Sequence, residues 1–490
     1  MSAAGAQAAR RATKNTAARA VGEIAGKLAS LAMFAVLARK TGAAGFGYYV
    51  FALAWAEVAM TPVGLGIDRF ALRLIAADRG RLGELLYNVL LLKLLRGALI
   101  LVAAIGLAAA IGYDGTRLAT VAVLTAGMFL DTLARTYMSV FNAFERGDLV
   151  AATIMAQRIG AAALALAALF AGLGVAAVAV AFAIGAAIRL VLSHLLLRRR
   201  IARPPLQFPA EPRLELRRRS LPYIGQDLFG LVLARGDIVL LQMLASDAVV
   251  GAYGAAYRLL DTTAFVTTAL SGAFSAMYTY LGPDTVPTLR AVFQRSLKAA
   301  LVLLVPVAVG FEVLAEPLVR AFYGAKLEAA ADPLRLLAPV VVVYSLYVLA
   351  GALIVSRHEA WKLLRIIGVT AAANLGLNLA LIPPLGAVGA ATAMLASALL
   401  YAALALRFAA AQAGGLDLGW LVAGPAAGGL AMAVPMLLLG WSLPLAAAAG
   451  TATFLGVTAL VERAVDPGDF AFVADLARRA LPWRRSRVPA

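Results

Sequence analysis

Cysteine is absent from this chain and histidine nearly so, with two in 490 residues. The first absence removes disulfides, thiolate nucleophiles, iron–sulfur clusters and cysteine-held zinc together. The two histidines, His194 and His358, fall near the ends of predicted helices, where an imidazole is an ordinary solvated side chain, and neither receives a role. Charge is scarce as well. Asp, Glu, Lys and Arg make up 14% of the residues, against about a quarter in a soluble protein. With 62% of the residues hydrophobic, too few polar side chains remain to cover the cores that a soluble chain of this length would need. Its solvent is lipid.

What charge there is leans basic, with 44 Lys and Arg against 26 Asp and Glu and a formal net charge of +18. Nucleic-acid binders gather such residues on one face or tail, usually with aromatics for stacking. Here they come in short bursts between apolar runs, as in the loops of membrane proteins, which argues against nucleic acid. A bilayer core about 30 Å thick takes roughly 20 apolar residues of helix, and about fourteen stretches meet that length. They lie near 16–38, 47–67, 88–112, 118–143, 151–171, 175–197, 220–244, 249–278, 296–315, 333–356, 361–382, 386–408, 420–440 and 443–461. The runs are Ala- and Leu-rich and too long for barrel strands, so the expected fold is all-α and polytopic. The first, behind Arg10, Arg11 and Lys14, reads as an uncleaved span rather than a signal peptide. The basic bursts fall on alternate connections, at 69–81, 198–219, 290–295 and 478–487, while the opposite loops hold a handful such as Arg117, Arg320 and Lys326. That asymmetry places both termini in the cytoplasm of a multi-pass protein of the bacterial inner membrane.

The longest polar interruption, 198–219, carries Pro204, Pro205, Pro209 and Pro212 and separates two sets of six spans. A shift of 204 residues aligns Glu23 with Asp227, Gly26 with Gly230, Gly47 with Gly251, Tyr49 with Tyr253, Ala52 with Ala256 and Glu57 with Asp261. Acids are rare in these spans, so the two acid pairs weigh most. A shift of 212 aligns Gly174 with Gly386. The expected organisation is a six-helix bundle over 1–200, a basic cytoplasmic linker at 201–219, and a second six-helix bundle of parallel order over 220–410. Two extra helices at 411–461 and a basic cytoplasmic tail at 462–490 follow, and the tail around Phe470–Trp483 reads either as an amphipathic helix on anionic lipid or as a frayed solvated helix.

Four segments then carry a resemblance. LARKTGAAGFGYY at 37–49, DIVLLQML at 237–244, VGAYGAAYRLLD at 250–261 and NLGLNLALIPPLGAVGAA at 374–391 occur in that order and spacing, the last with Asn374 and Asn378 one turn apart before Pro383. Together they resemble the polysaccharide-biosynthesis or oligosaccharide flippase family of the multidrug/oligosaccharidyl-lipid/polysaccharide exporter superfamily, over roughly residues 15–410. The resemblance implies an alternating-access fold of two six-helix bundles around a central cavity, an undecaprenyl-pyrophosphate-linked glycan as substrate, no enzymatic activity, and no metal or organic cofactor. It also implies assembly proteins such as a polysaccharide polymerase as partners.

Independently of any family, an ionisable residue deep in a span is costly and points to function. Glu23 and Lys27 lie in the first span, Glu57 in the second, and Asp131 and Arg135 in the fourth. The seventh holds Asp227, Arg235 and Asp237, the eighth Arg258 and Asp261, and the last six none at comparable depth. Glu23 with Lys27, Asp131 with Arg135, and Arg258 with Asp261 sit three or four residues apart and can pair along their own helices. Arg235 has no acid at that spacing and shares a helix side with Asp227, about 80° away, which makes it the expected free cation for a pyrophosphate. Lys27, Arg135 and Arg258 are further candidate contacts to substrate, and Arg39, at the outer mouth, is either another or a plain loop arginine. Glu57 and Asp227 lack local partners and, with Glu23 and Asp261, are candidates for coupling to a proton or sodium gradient. Tyr49, Tyr137, Tyr253 and Tyr257 are candidates for sugar contacts.

Four bases against six acids is the wrong balance for an anionic head group, which keeps a cation-coupled multidrug exporter of the same superfamily as the alternative. A lipid II flippase would carry an arginine-rich first helix, where this chain has Arg19, Glu23 and Lys27. A membrane glycan polymerase or ligase needs a sizeable external loop, and the longest here, about 316–332, is short.

Overall fold

The computed structural model describes residues 3–64, 66–113, 115–209, 221–281, 286–440 and 442–465. These fold into fourteen α-helices with two short 3-10 turns. With no water in the hydrocarbon layer, each span satisfies its backbone polar groups internally as helix. In order they are α1 (Ala3–Gly64), α2 (Ile67–Ala77), α3 (Leu82–Ala110), α4 (Gly115–Ala143), α5 (Gly147–Phe170), α6 (Val175–Arg200) and α7 (Leu221–Leu244). Then come α8 (Asp247–Tyr280), α9 (Val286–Val313), α10 (Ala315–Tyr323), α11 (Ala331–Ser356), α12 (Ala360–Gln412), α13 (Leu418–Leu438) and α14 (Leu443–Val465).

Among the described residues ten stretches are long and apolar enough to cross a membrane. Two of them, in α1 and α12, are interrupted by a glycine in a conformation other residues avoid, Gly42 at φ 71° and Gly386 at φ 55°. Each reads as two spans joined by a tight turn. That makes ten plus two, and the more polar α7 and α8 complete the fourteen expected. The protein is therefore an all-helical, multi-pass membrane protein. Its apolar side chains agree: Leu99 and Val102 on α3 are 73% and 71% exposed, a surface suited only to lipid.

The chain divides into two compact units. The first comprises Met1–Phe265, Val319–Leu337 and Trp361–Leu400. Within it α4 packs on α6 and α1 on α5, and small residues allow the close approach. A β-carbon on Gly127 would lie 2.9 Å from the Ala183 backbone, and one on Gly185 would lie 2.8 Å from the Gln157 carbonyl oxygen. At one end, Leu85, Leu86, Tyr137, Phe141, Val150 and Leu197 close a core beneath α2. The described part of the proline-rich linker lies over the start of α3, where Asn88 Nδ2 donates to the Pro209 carbonyl at 3.1 Å. The rest of the basic linker and the expected tail helix at 470–483 lie outside the described residues.

The second unit comprises Val266–Leu318, Ala338–Ala360 and Tyr401–Ala490. In it α13 and α14 pack on each other and on α9, around Leu314, Met432, Met436, Ala446 and Phe454. It also corrects the expectation that the last six spans hold no deep charge. Lys298 on α9 is 9% exposed; it pairs with Glu462 on α14 and lies 3.7 Å from the ring centre of Trp420. Lys298 stands at the first turn of its predicted span, a position that does not mark a charge as deep in the sequence alone.

Candidate functional site

The first unit encloses two adjoining chambers of about 460 and 510 Å³. Both have Glu57, Met128, Arg135 and Arg235 in their walls, so these four side chains stand where one space gives way to the other. Helices α1, α4, α5, α6, α7 and α8 line the first chamber. Among the described residues its charged lining is Lys27, Arg135, Arg158, Arg189, Arg235 and Arg258 against Glu57, Asp131 and Asp261, six bases to three acids. The second chamber holds, among the described residues, Glu57, Asp68 and Asp227 against Arg135 and Arg235, three acids to two bases.

The described lining of the first chamber is thus basic, where the sequence count leans acidic. Arg158 and Arg189, both inside predicted spans, line the first chamber, while Asp227 and Asp237 do not. Arg235 is not the free cation expected. It pairs with Glu57, across 178 residues of sequence, and its guanidinium lies 5.3 Å from the ring centre of Tyr257. Nor is Asp227 without a partner, for its Oδ2 accepts the Gly66 backbone N–H at 3.0 Å. Gly66, at φ 68°, opens α2, and a carboxylate there complements the helix dipole.

Three expected pairings fare differently. Asp131 and Arg135 meet at 2.9 Å and Arg258 and Asp261 at 3.9 Å. Lys27 donates to the Asp261 carbonyl at 2.7 Å, while the side chain of Glu23 lies outside the described residues. Arg39 is not among the lining residues. It donates to the backbone carbonyls of Phe322, at 3.1 Å, and Ala321. Of the tyrosines, Tyr49 lines the first chamber, whereas Tyr253 donates to buried Asp237 and Tyr137 meets His194 Nδ1 at 3.2 Å.

Two polar networks brace the walls. Asp131 accepts from Arg135 Nε at 2.9 Å, from Arg189 Nη1 at 2.5 Å and from Gln157 Nε2 at 2.9 Å, tying α4 to α5 and α6. Fully buried Lys93 on α3 donates to Asp68 Oδ2 at 2.6 Å and to the Thr132 carbonyl at 2.9 Å, and Thr136 donates to Asp68 Oδ1 at 3.2 Å. Hydrogen bonds of this kind are what keep a charge tolerable inside a membrane protein. Among the described residues no three His, Asp or Glu side chains gather in a metal-holding group.

The polysaccharide biosynthesis protein family matches residues 12–274, which is 263 of the 490. The chain belongs to that family. No curated protein sequence matches it significantly. Among solved structures, the lipid II flippase MurJ in an inward closed conformation superposes on this family member with a TM-score of 0.73 at 12% identity, covering 91% of this chain and 99% of that one. An inward-facing multidrug resistance MATE family transporter of the MOP superfamily gives 0.63 at 16% identity, covering 79% and 95%. The Vibrio cholerae MATE transporter VcmN, in a mutant form, gives 0.61 at 15% identity, covering 82% and 96%. At such identities the likeness is one of fold, and it is the fold of MurJ and the MATE transporters.

Proposed function

We propose that this polysaccharide biosynthesis protein is a flippase. Its cargo is an oligosaccharide linked to undecaprenyl pyrophosphate, carried across the bacterial inner membrane by alternating access for surface polysaccharide biosynthesis. The observation that carries this reading is the excess of bases, six to three among the described residues, around the first chamber. A pyrophosphate is a compact multiple anion, and guanidinium groups in a partly dry space hold it by paired, charge-assisted hydrogen bonds. A chamber of about 460 Å³ suits the head group and the first sugars. The polyprenyl tail stays in lipid while the head crosses, and the sequence halves 1–200 and 220–410 rock about the site. A lipid II flippase of the same fold supports lipid-linked cargo.

In this reading Arg235, Arg258, Lys27 and Arg135 contact the substrate, and Arg39, outside the lining, has no part. Asp227, Glu57, Glu23 and Asp261 link the movement to a proton or sodium gradient. Both termini face the cytoplasm, where the basic loops sit. The transported glycan passes to a polysaccharide polymerase and its assembly partners.

The test is surface glycan in cells carrying Arg235→Ala in place of the unaltered gene. The variant is expected to remain in the membrane and to lose surface glycan. Normal glycan in that strain removes the substrate role. A cation-coupled multidrug exporter is the second reading, favoured by the acid excess of the second chamber and by the MATE likeness. Vesicles holding the purified chain that expel an organic cation but do not translocate a prenyl-pyrophosphate glycan would establish it instead.

A further inference from the structure

We infer that Arg135 is the fork that grips the pyrophosphate, and that Asp131, Gln157 and Arg189 are its mount. The inference rests on the flippase reading and adds to it which cation holds the anion and which residues position that cation. Arg189 is nearly sealed, its side chain 8% exposed, and spends Nη1 on Asp131 Oδ1 at 2.5 Å and on Gln157 Oε1 at 2.9 Å. Gln157 Nε2 returns to Asp131 Oδ1 at 2.9 Å. Asp131 is thereby held rigid, and its other oxygen accepts Arg135 Nε at 2.9 Å.

Arg135 is held at its neck and open at its tips. Its side chain is 55% exposed, and its two terminal nitrogens make no hydrogen bond among the described residues. Three of the other bases are placed differently: Arg235 is spent on Glu57, Arg258 lies 4.4 Å from the ring centre of Phe34, and Lys27 is bonded to the Asp261 carbonyl. An arginine already fixed at Nε loses less side-chain freedom on binding, which favours affinity. Arg135 also stands in the wall common to both chambers, so one cation holds the anion on either side of the junction.

The mount makes a prediction of sign. Asp131→Asn raises the net charge of the chamber by one. If Asp131 only neutralised charge, anions would bind the variant more tightly; as the mount of Arg135, it makes them bind more weakly. The experiment titrates the purified full chain in lipid nanodiscs with inorganic pyrophosphate and, separately, with farnesyl pyrophosphate. Arg135→Gln leaves Asp131 paired with Arg189 and is expected to weaken both ligands about tenfold or more. Asp131→Asn is expected to weaken both, and Gln157→Met, which changes no charge, to weaken them by a smaller factor if the first variant does not fold. Unchanged affinity in Arg135→Gln, or tighter binding in Asp131→Asn, overturns the assignment while the flippase reading stands. A loss confined to farnesyl pyrophosphate places Arg135 on the lipid rather than the phosphates and overturns it too. If the unaltered chain binds neither ligand, both readings fall together.

Discussion

Lys93 has no water to face. It is fully buried on a membrane helix, and it is tolerated because Asp68 and the Thr132 carbonyl accept its hydrogen bonds. Removing one member of such a pair strands the other, at a cost of about 3–5 kcal/mol, whereas removing both charges together costs far less. Lys93→Met is therefore expected to lower the unfolding temperature of the detergent-purified chain, and Lys93→Met with Asp68→Asn to recover most of it. A double variant as unstable as the single one would show that Lys93 matters for packing rather than charge. Asp227 poses a different question, since it caps α2 from α7 through the Gly66 N–H. Asn in its place keeps the acceptor and loses the charge, so Asp227→Asn is expected to fold normally and to blunt the proton or sodium dependence of transport. A variant with the same ion response as the unaltered chain removes Asp227 from the coupling residues.

At the scale of elements, the second span of α1 crosses the start of α8 with no room for side chains. A β-carbon on Gly47 would lie 1.8 Å from the Asp247 carbonyl oxygen, and one on Gly251 would lie 2.2 Å from that of Ala43. These two glycines are the pair aligned by the 204-residue shift. Arg117 adds an ion pair to Asp247 at 2.8 Å beside the crossing. One turn on, a β-carbon at Gly254 would lie 3.2 Å from Val50 Cβ, a few tenths of an ångström short of the separation of about 3.5–4.5 Å in disulfides. Alternating access requires such a seam to part. The pair Val50→Cys and Gly254→Cys is expected to cross-link under mild oxidation and to stop transport, with reductant restoring it. Full transport by the cross-linked chain would show that the seam stays shut throughout the cycle.

Over the whole molecule, the spans were legible because lipid imposes one length and one composition on every crossing. The turns at Gly42 and Gly386 were legible for the same reason, since no single helix needs 62 or 53 residues. The charges were only half legible. Partners three or four residues apart, such as Asp131 and Arg135, follow from helix geometry. Arg189 with Asp131, Lys93 with Asp68 and Arg235 with Glu57 meet across 58, 25 and 178 residues, and no local spacing announces them. Judging each helix alone therefore left Arg235 looking free and the chamber looking acidic. The remaining proposition is that these charges persist because the chambers hold water that is reached from one membrane face at a time. The absence of native cysteine makes this directly measurable with single cysteines at Glu57, Asp227 and Arg235 and a membrane-impermeant thiol reagent. In right-side-out and inside-out vesicles each position is expected to react from the face to which the chambers open. A lipid-linked substrate is expected to shift that accessibility toward the opposite face. Positions that never react from either side would leave the charges as structural pairs and the chambers without a path for a polar head group.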